Sequence, residues 1–306
     1  MRRSAVIIRS LGAAALALLL LLSACTEKTP SQESTAGSES TAASKSTTAS
    51  EGTAASGSTV ASESASAQAV TYSPESPSPD EAAGTELVLA TLNIKHGAEG
   101  LENIAAAIRE ISPDIIGLQE VDVGCERSGN IDEPAKLAEL AGYPYYAFAK
   151  AIPLGAGEYG TAILSRFPIE NFEVTALYSG DGEPRSVGHA VVHADGIEID
   201  VFVTHLSFEE RSLRIAQMKK IAGMLKRCSR YVLLGDLNSF NIEDISYLEA
   251  AYYVNRADRR YQTFRRFNSS PDNIVLSEGF TELSTGVSDA ECSDHRLLYG
   301  TFRLEE

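Results

Sequence analysis

Acidic, amide and imidazole side chains recur in this 306-residue chain where short apolar runs begin or end. Asn93 follows Leu87–Leu92, and Glu120 closes Leu118-Gln119-Glu120. His205 follows Val201–Thr204, and Asp236 and Asn238 follow Tyr231–Leu234 in Gly235-Asp236-Leu237-Asn238. Asp272 and Asn273 precede Ile274, while Asp294 and His295 precede Leu297–Phe302. Carboxylate and amide oxygens at neighbouring strand ends suit a hard, oxygen-seeking cation such as Mg²⁺. Carboxylates and imidazoles beside such a cation can move a proton or steady developing negative charge. Taken singly, each residue has a plainer reading. Asp236 and Asn238 suit a turn, Asn93 a cap or turn, and His205 a satisfied core or surface histidine. Six such clusters in one domain, two with His and three with acid–amide pairs, exceed what turns require.

The elements that must position these residues alternate in kind. Leu87–Leu92 reads as a strand, and Leu101, Ile104, Ile108 and Ile111 have helical spacing. Asp114–Gln119 is a short buried strand, Lys136–Ala141 a helix, and Thr161–Ser165 an extended run. Val187–His193 and Ile197–Val203 are strands separated by the hairpin signal Ala194-Asp195-Gly196. Phe208–Arg227 is the longest expected helix, with Met218, Ile221, Ala222 and Leu225 on one face. Tyr231–Leu234, Ile274–Leu276 and Leu297–Phe302 complete the strands. Hairpins mixed with crossover helices predict an α/β layered sandwich with mixed sheets. This domain runs from about residue 86 to 306, long enough for one sizeable core.

Upstream of it the composition changes. Residues 26–85 are rich in Ser, Thr, Ala, Gly and Glu, with Pro74, Pro77 and Pro79 near the end. Such a stretch buries too little apolar surface to offset the entropy of ordering, so a disordered linker is expected, with a mean reach of roughly 40 Å. Before it, Arg2 and Arg3 precede the uncharged apolar run Leu11–Leu22, the layout of an export signal. The run ends Leu22-Ser23-Ala24-Cys25, which resembles a bacterial lipobox, with Cys25 as the lipidated residue. The alternative is an uncleaved membrane anchor, for which the run is short against the roughly 20 residues of a span. The expectation is an exported monomer on the outer face of a bacterial cell membrane, meeting the membrane through its lipid anchor only.

Cys125, Cys228 and Cys292 remain, an odd number, so at least one is expected to be free or paired with another molecule. No two lie close in sequence and no His stands at ligand spacing, which argues against a zinc site. The formal net charge of −16 opposes the counterion-release term that dominates nucleic-acid binding, so nucleic acid is possible but not favoured.

In order along the chain, the motifs Asn93, Leu118-Gln119-Glu120, Tyr159–Ser165, Thr204-His205-Leu206, Gly235-Asp236-Leu237-Asn238, Asp272-Asn273 and Ser293-Asp294-His295 resemble the motif set of the endonuclease/exonuclease/phosphatase superfamily. The resemblance covers nearly the whole domain and implies the DNase I-like four-layer α/β/β/α sandwich of two mixed sheets. It implies a metal-dependent phosphoric ester hydrolase using Mg²⁺ or Mn²⁺, with Glu120 as principal metal ligand helped by Asn93 and Asp294. By the same similarity, Asp236 orients and deprotonates the attacking water, and Asn238 holds a phosphate oxygen. His295 stands beside the phosphate with Asp272 fixing its tautomer, and His205 donates to the growing negative charge. Whether Asp236 or the Asp272–His295 pair takes the water's proton stays open. Tyr159 is expected either on a phosphate oxygen or packed on the strand surface. Arg185 and Arg127 resemble basic residues at the substrate mouth of some relatives, and Arg214 and Gln217 are expected to brace the His205 loop. The resemblance departs at Lys95, where many nucleases of the superfamily carry an acid, which puts a second metal position in doubt. The leading expectation is hydrolysis of a small or lipid-derived phosphoester. The alternatives are a secreted nuclease, with Arg259-Arg260 and Arg265-Arg266 in a basic groove, and a non-catalytic binding lipoprotein.

Overall fold

The computed structural model describes residues 84–267 and 269–305. The expected export signal, Cys25 and the linker up to residue 83 lie outside the described residues. In chain order the strands are β1 (Thr85–Asn93), β2 (Ile115–Val123), β3 (Tyr145–Leu154), β4 (Gly157–Ser165), β5 (Glu170–Leu177), β6 (Arg185–Ala194), β7 (Ile197–His205), β8 (Tyr231–Asp236), β9 (Tyr252–Tyr253), β10 (Asp272–Leu276), β11 (Phe280–Val287) and β12 (Leu298–Leu304). The helices are α1 (Leu101–Ile111), α2 (Glu133–Ala141) and α3 (Arg211–Leu225). The long helix thus starts at Arg211 rather than Phe208, because Ser207 and Phe208 are drawn into the loop that follows His205.

Two six-stranded sheets form, in the orders β11-β12-β1-β2-β4-β3 and β5-β6-β7-β8-β10-β9. Each contains one parallel pair, β1 with β2 and β7 with β8, joined by the crossover helices α1 and α3. Strand alternation sorts the core. Leu87, Leu89, Ile115 and Ile163 of the first sheet meet Val201, Val203, Val232, Leu234 and Ile274 of the second. On the outer face of the first sheet, Leu92, Ile116, Leu118 and Leu164 pack against Leu101, Ile104 and Ile108 of α1 and Leu137 of α2. On the other side, Phe202, Leu233 and Val275 pack against Met218, Ile221 and Leu225 of α3. Central strands are therefore covered on both faces, and their sequences are near-continuous apolar runs. The result is the expected four-layer α/β/β/α sandwich.

Local chemistry sets the helix ends. Asp132 caps α2 by accepting from Ala135 N at 3.0 Å, Pro134 occupies the first turn, and Gly142 closes the helix with φ +79°. Helix α1 stops at Ser112, which adopts φ +57° just before Pro113.

Candidate active site

The carboxyl ends of the two parallel pairs open at the same place. Asn93 ends β1 opposite Gln119 of β2, and His205 ends β7 opposite Asp236 of β8. Close approach of β7 and β8 depends on Gly235, where a Cβ would fall 2.6 Å from the Thr204 carbonyl oxygen. In β2 the register with β4 shifts between Gln119 and Val121, leaving Glu120 as the extra residue with φ +55°. A bulge of this kind re-aims a side chain. Here it presents Glu120 to Asn93, whose Nδ2 donates to Glu120 Oε1 at 2.9 Å and to Asp236 Oδ2 at 3.2 Å. One amide therefore links carboxylates from the two sheets.

Asp236 is buried and central. Its Oδ1 accepts from the Asn238 N–H at 2.8 Å, and Asn238 takes φ +48° to make that contact. Its Oδ2 lies 3.6 Å from His205 Nε2 and 3.8 Å from His295 Nε2. Burial raises the Asp236 carboxyl, and the Asp272 charge raises it further, against the lowering effects of His295, the Asn238 N–H and Asn93.

The two imidazoles are set differently. His295 Nδ1 is 2.9 Å from Asp272 Oδ2, and its ring lies 4.7 Å from the Phe264 ring. Burial alone would lower His295, but Asp272, by charge and hydrogen bond, with Asp236 and Asp294, outweighs it and raises the group to about 10. His205 is held well below its ordinary value by burial first, then by the Arg185 and His295 charges. Arg185 Nη1 donates to His205 Nδ1 at 3.1 Å and so orients the ring. His205 Nε2 lies 2.9 Å from Asn238 Nδ2, and that amide nitrogen donates to the Leu206 carbonyl at 2.9 Å.

The loop after β11 brings Asp294. Ser293 Oγ donates to the Asn93 carbonyl at 2.7 Å, and Asp294 Oδ2 meets Lys95 Nζ at 3.1 Å. Glu120 and Asp294 offer carboxylate oxygens, donors that fit a hard divalent cation, while the Asn93 amide oxygen accepts from the Lys95 N–H at 3.0 Å. Asp236, Asp272 and His295 also hold ligand atoms within 4.8 Å of one another. Within that trio His295 Nδ1 is hydrogen-bonded to Asp272 Oδ2 at 2.9 Å.

The other expected site residues are placed as follows. Tyr159 is buried beside Arg185 and Glu120. Arg185 is not at a solvent-facing mouth: it is buried, pairs with Glu183 at 2.9 Å and orients His205. Arg127 is partly exposed but committed to the fully buried Asp122 by two bonds of 2.8 Å, with its guanidinium 5.3 Å from the Tyr159 ring centre. Gln217 accepts from Ser207 N at 2.9 Å and donates to Ser207 Oγ at 2.8 Å. Arg214 donates to the Ser207 and Phe208 carbonyls at 3.2 Å, so both residues brace the His205 loop as expected. Sequence reasoning missed the contacts of Phe264 with His295 and of Glu183 with Arg185, which no local motif signals.

Residues 90–295 match the sequence profile of the Endonuclease/Exonuclease/phosphatase family. The chain is similar to the uncharacterized protein YbhP of Escherichia coli, 26% identical over 178 residues, covering 53% of this chain and 70% of that protein. Its fold is similar to an endonuclease/exonuclease/phosphatase from Beutenbergia cavernae, with a TM-score of 0.62, 23% identity and 72% of each chain covered. It is also similar to a mannosyl-6-phosphatase from Bacteroides thetaiotaomicron, with a TM-score of 0.55, 18% identity, 71% of this chain covered and 99% of that one. The chain belongs to the endonuclease/exonuclease/phosphatase family, whose members are in general phosphoester hydrolases that use divalent metals.

Proposed function

We propose that this protein hydrolyses a small or lipid-derived phosphoester with Mg²⁺ or Mn²⁺, at the outer face of a bacterial cell membrane to which lipid on Cys25 holds it. The observation that carries the catalytic reading is the position of Asp236. It is buried, faced by two imidazole nitrogens at 3.6 and 3.8 Å, and joined to Glu120 through one amide.

Glu120, Asn93 and Asp294 would hold the cation, which when bound supplies Lewis-acid polarisation of the phosphoryl group. Asp236 orients the attacking water and takes its proton as the new P–O bond forms and the bond to the leaving oxygen breaks. His295 is less suited to that role, because Nδ1 is given to Asp272 and the neighbouring acids favour its protonated form. It steadies a phosphoryl oxygen as a cation instead. His205 stands beside the same developing charge, its ring oriented by the Arg185 N–H that donates to Nδ1.

The substrate class rests on charge and space. Arg259 is bound to Glu282 and Arg265 donates to the Ala290 carbonyl, so neither is a free phosphate-tracking side chain. A cavity of about 300 Å³ is lined by Ser239, next to Asn238 in sequence, together with Phe240, Ile242, Arg260, Gln262 and Ser270. It is sized for a compact polar group rather than a duplex.

Full-length protein assayed on bis-nitrophenyl phosphate is expected to release nitrophenol only with Mg²⁺ or Mn²⁺, and to lose that activity in Asp236→Ala and His295→Ala. A flat trace with either metal, unchanged in both variants, overturns the catalytic reading. Plasmid nicking that falls steeply with salt would move the substrate to nucleic acid. Cys25→Ser is expected to shift the protein from the membrane to the soluble fraction, and retention on the membrane would remove the lipid anchor.

A further inference from the structure

A second cluster of metal-ligating side chains lies away from the catalytic mouth. His189 of β6 and Asp200 of β7 are diagonal neighbours on the face of the second sheet that α3 covers, since His189 pairs with Phe202 and Asp200 with Val191. His189 Nε2 is 2.6 Å from Asp200 Oδ1. The His189 ring is stacked on Phe202, with centroids 4.3 Å apart and planes 6° apart, which fixes where its nitrogens point. Cys228 stands three residues beyond the end of α3, its N–H donating to the Leu225 carbonyl at 3.0 Å. One ligand atom from each of the three residues lies within 4.8 Å of the other two. Asp200 is five positions before His205 on the same strand, so about 16 Å separate this cluster from the mouth.

From this juxtaposition we propose that His189, Asp200 and Cys228 form a second divalent-metal site, selective for a thiophilic ion such as Zn²⁺ and separate from the catalytic cation. A nitrogen, an oxygen and a sulfur ligand suit zinc, whereas Mg²⁺ prefers oxygen alone. Three ligands on two adjacent strands and a helix end are already ordered, so little conformational freedom is lost on binding. Bonds of about 2.0–2.3 Å to a tetrahedral ion set its ligand atoms roughly 3.3–3.8 Å apart. The His189–Asp200 contact must therefore open slightly, a movement within reach of a carboxylate at the edge of the layer. His189 and Asp200 keep 22% and 16% of their side-chain surface exposed, leaving the fourth position to water. A thiolate, a carboxylate and a neutral imidazole balance a dipositive ion. Binding releases the thiol proton, because burial first and the Asp200 charge second push Cys228 up to about 12 without metal. The spacing of 11 and 28 residues between successive ligands is why no zinc motif is visible in the sequence.

The test is a Co²⁺ titration of metal-stripped full-length protein in excess Mg²⁺, read by optical absorption. One equivalent is expected to produce a thiolate-to-cobalt charge-transfer band with four-coordinate ligand-field bands, and one equivalent of Zn²⁺ is expected to abolish both. Cys228→Ser should remove the charge-transfer band and His189→Ala should weaken binding at least ~10-fold. Mg²⁺-dependent phosphoesterase activity and circular dichroism of Cys228→Ser should match wild type, which separates loss of the site from loss of the fold. No charge-transfer band in the wild type, or a band of undiminished intensity in Cys228→Ser, would overturn the proposal.

Discussion

Glu133 is the first residue of α2 and is 1% exposed, an unusual place for a carboxyl group. Its Oε2 accepts from the Asp122 N–H at 2.8 Å, and its Oε1 lies under Gly97, where a Cβ would come within 2.8 Å of it. Burial raises its pKa from 4.5 to about 7, and the Asp122 charge adds to this, against lowering by that N–H and by Arg127. The helix N-terminus favours a negative charge but does not overcome these effects. The unfolded chain therefore loses the Glu133 proton near its ordinary value, whereas the folded chain keeps it until neutrality. Between those two values the folded state binds more protons, so the Glu133 contribution falls as pH rises, and it is flat above the folded pKa. Two and a half pH decades correspond to about 3 kcal/mol. Glu133→Gln keeps the acceptor for the Asp122 N–H and removes the titration. In urea denaturation of full-length protein, the variant is expected to match wild type near pH 4 and to exceed it by ~3 kcal/mol near pH 8. A stability difference that stays constant across this range would refute the reasoning, because only a titrating group makes the two curves diverge.

Three further outcomes follow from the site and its frame. Asp272→Asn removes the charge that does most to raise His295, so the alkaline limb of the pH–rate profile should move down by at least ~1 unit; an unmoved limb would dissociate His295 from activity. Gly235→Ala forces a Cβ against the Thr204 carbonyl and should separate β7 from β8, costing ~1–3 kcal/mol in thermal unfolding and lowering kcat. Phe202→Ala empties a fully buried position between the second sheet and α3, and should cost ~3–5 kcal/mol in denaturant unfolding with the metal-dependent activity retained below the new midpoint.

The eight strands legible in the sequence, β1, β2, β4, β6, β7, β8, β10 and β12, are the interior strands of the two sheets. The four that escaped notice, β3, β5, β9 and β11, are the four edges. An interior strand such as Val232–Leu234 meets side chains on both faces and must be apolar throughout. An edge strand such as Phe280–Val287 is half wet, and its Thr, Glu and Ser read as loop. The same contrast governs the site. Strand-end residues like Asp236 and His205 stand out because polar groups interrupt apolar runs. The bulge that turns Glu120 inward and the burial of Arg185 behind His205 come from register and layer packing, which single-sequence patterns do not encode.

The mouth also explains why the family chemistry needs a cation in this chain. Glu120, Asp236, Asp272 and Asp294 converge from both sheets and the last loop, and a phosphoester brings further negative charge. At the effective dielectric of a partly buried site, two like charges 4 Å apart repel by ~4 kcal/mol. The nearby cations are largely spent: Lys95 on Asp294 at 3.1 Å, Arg185 on Glu183 at 2.9 Å, and Arg127 on Asp122 at 2.8 Å. Among the described residues, His295 turns a positively charged edge toward Asp236, and it already shares its other nitrogen with Asp272. An anionic substrate therefore meets a net negative pocket unless a divalent ion reverses its sign. Asp294 connects the two ways of doing so, since the carboxylate that would help hold the ion is the one that Lys95 neutralises without it.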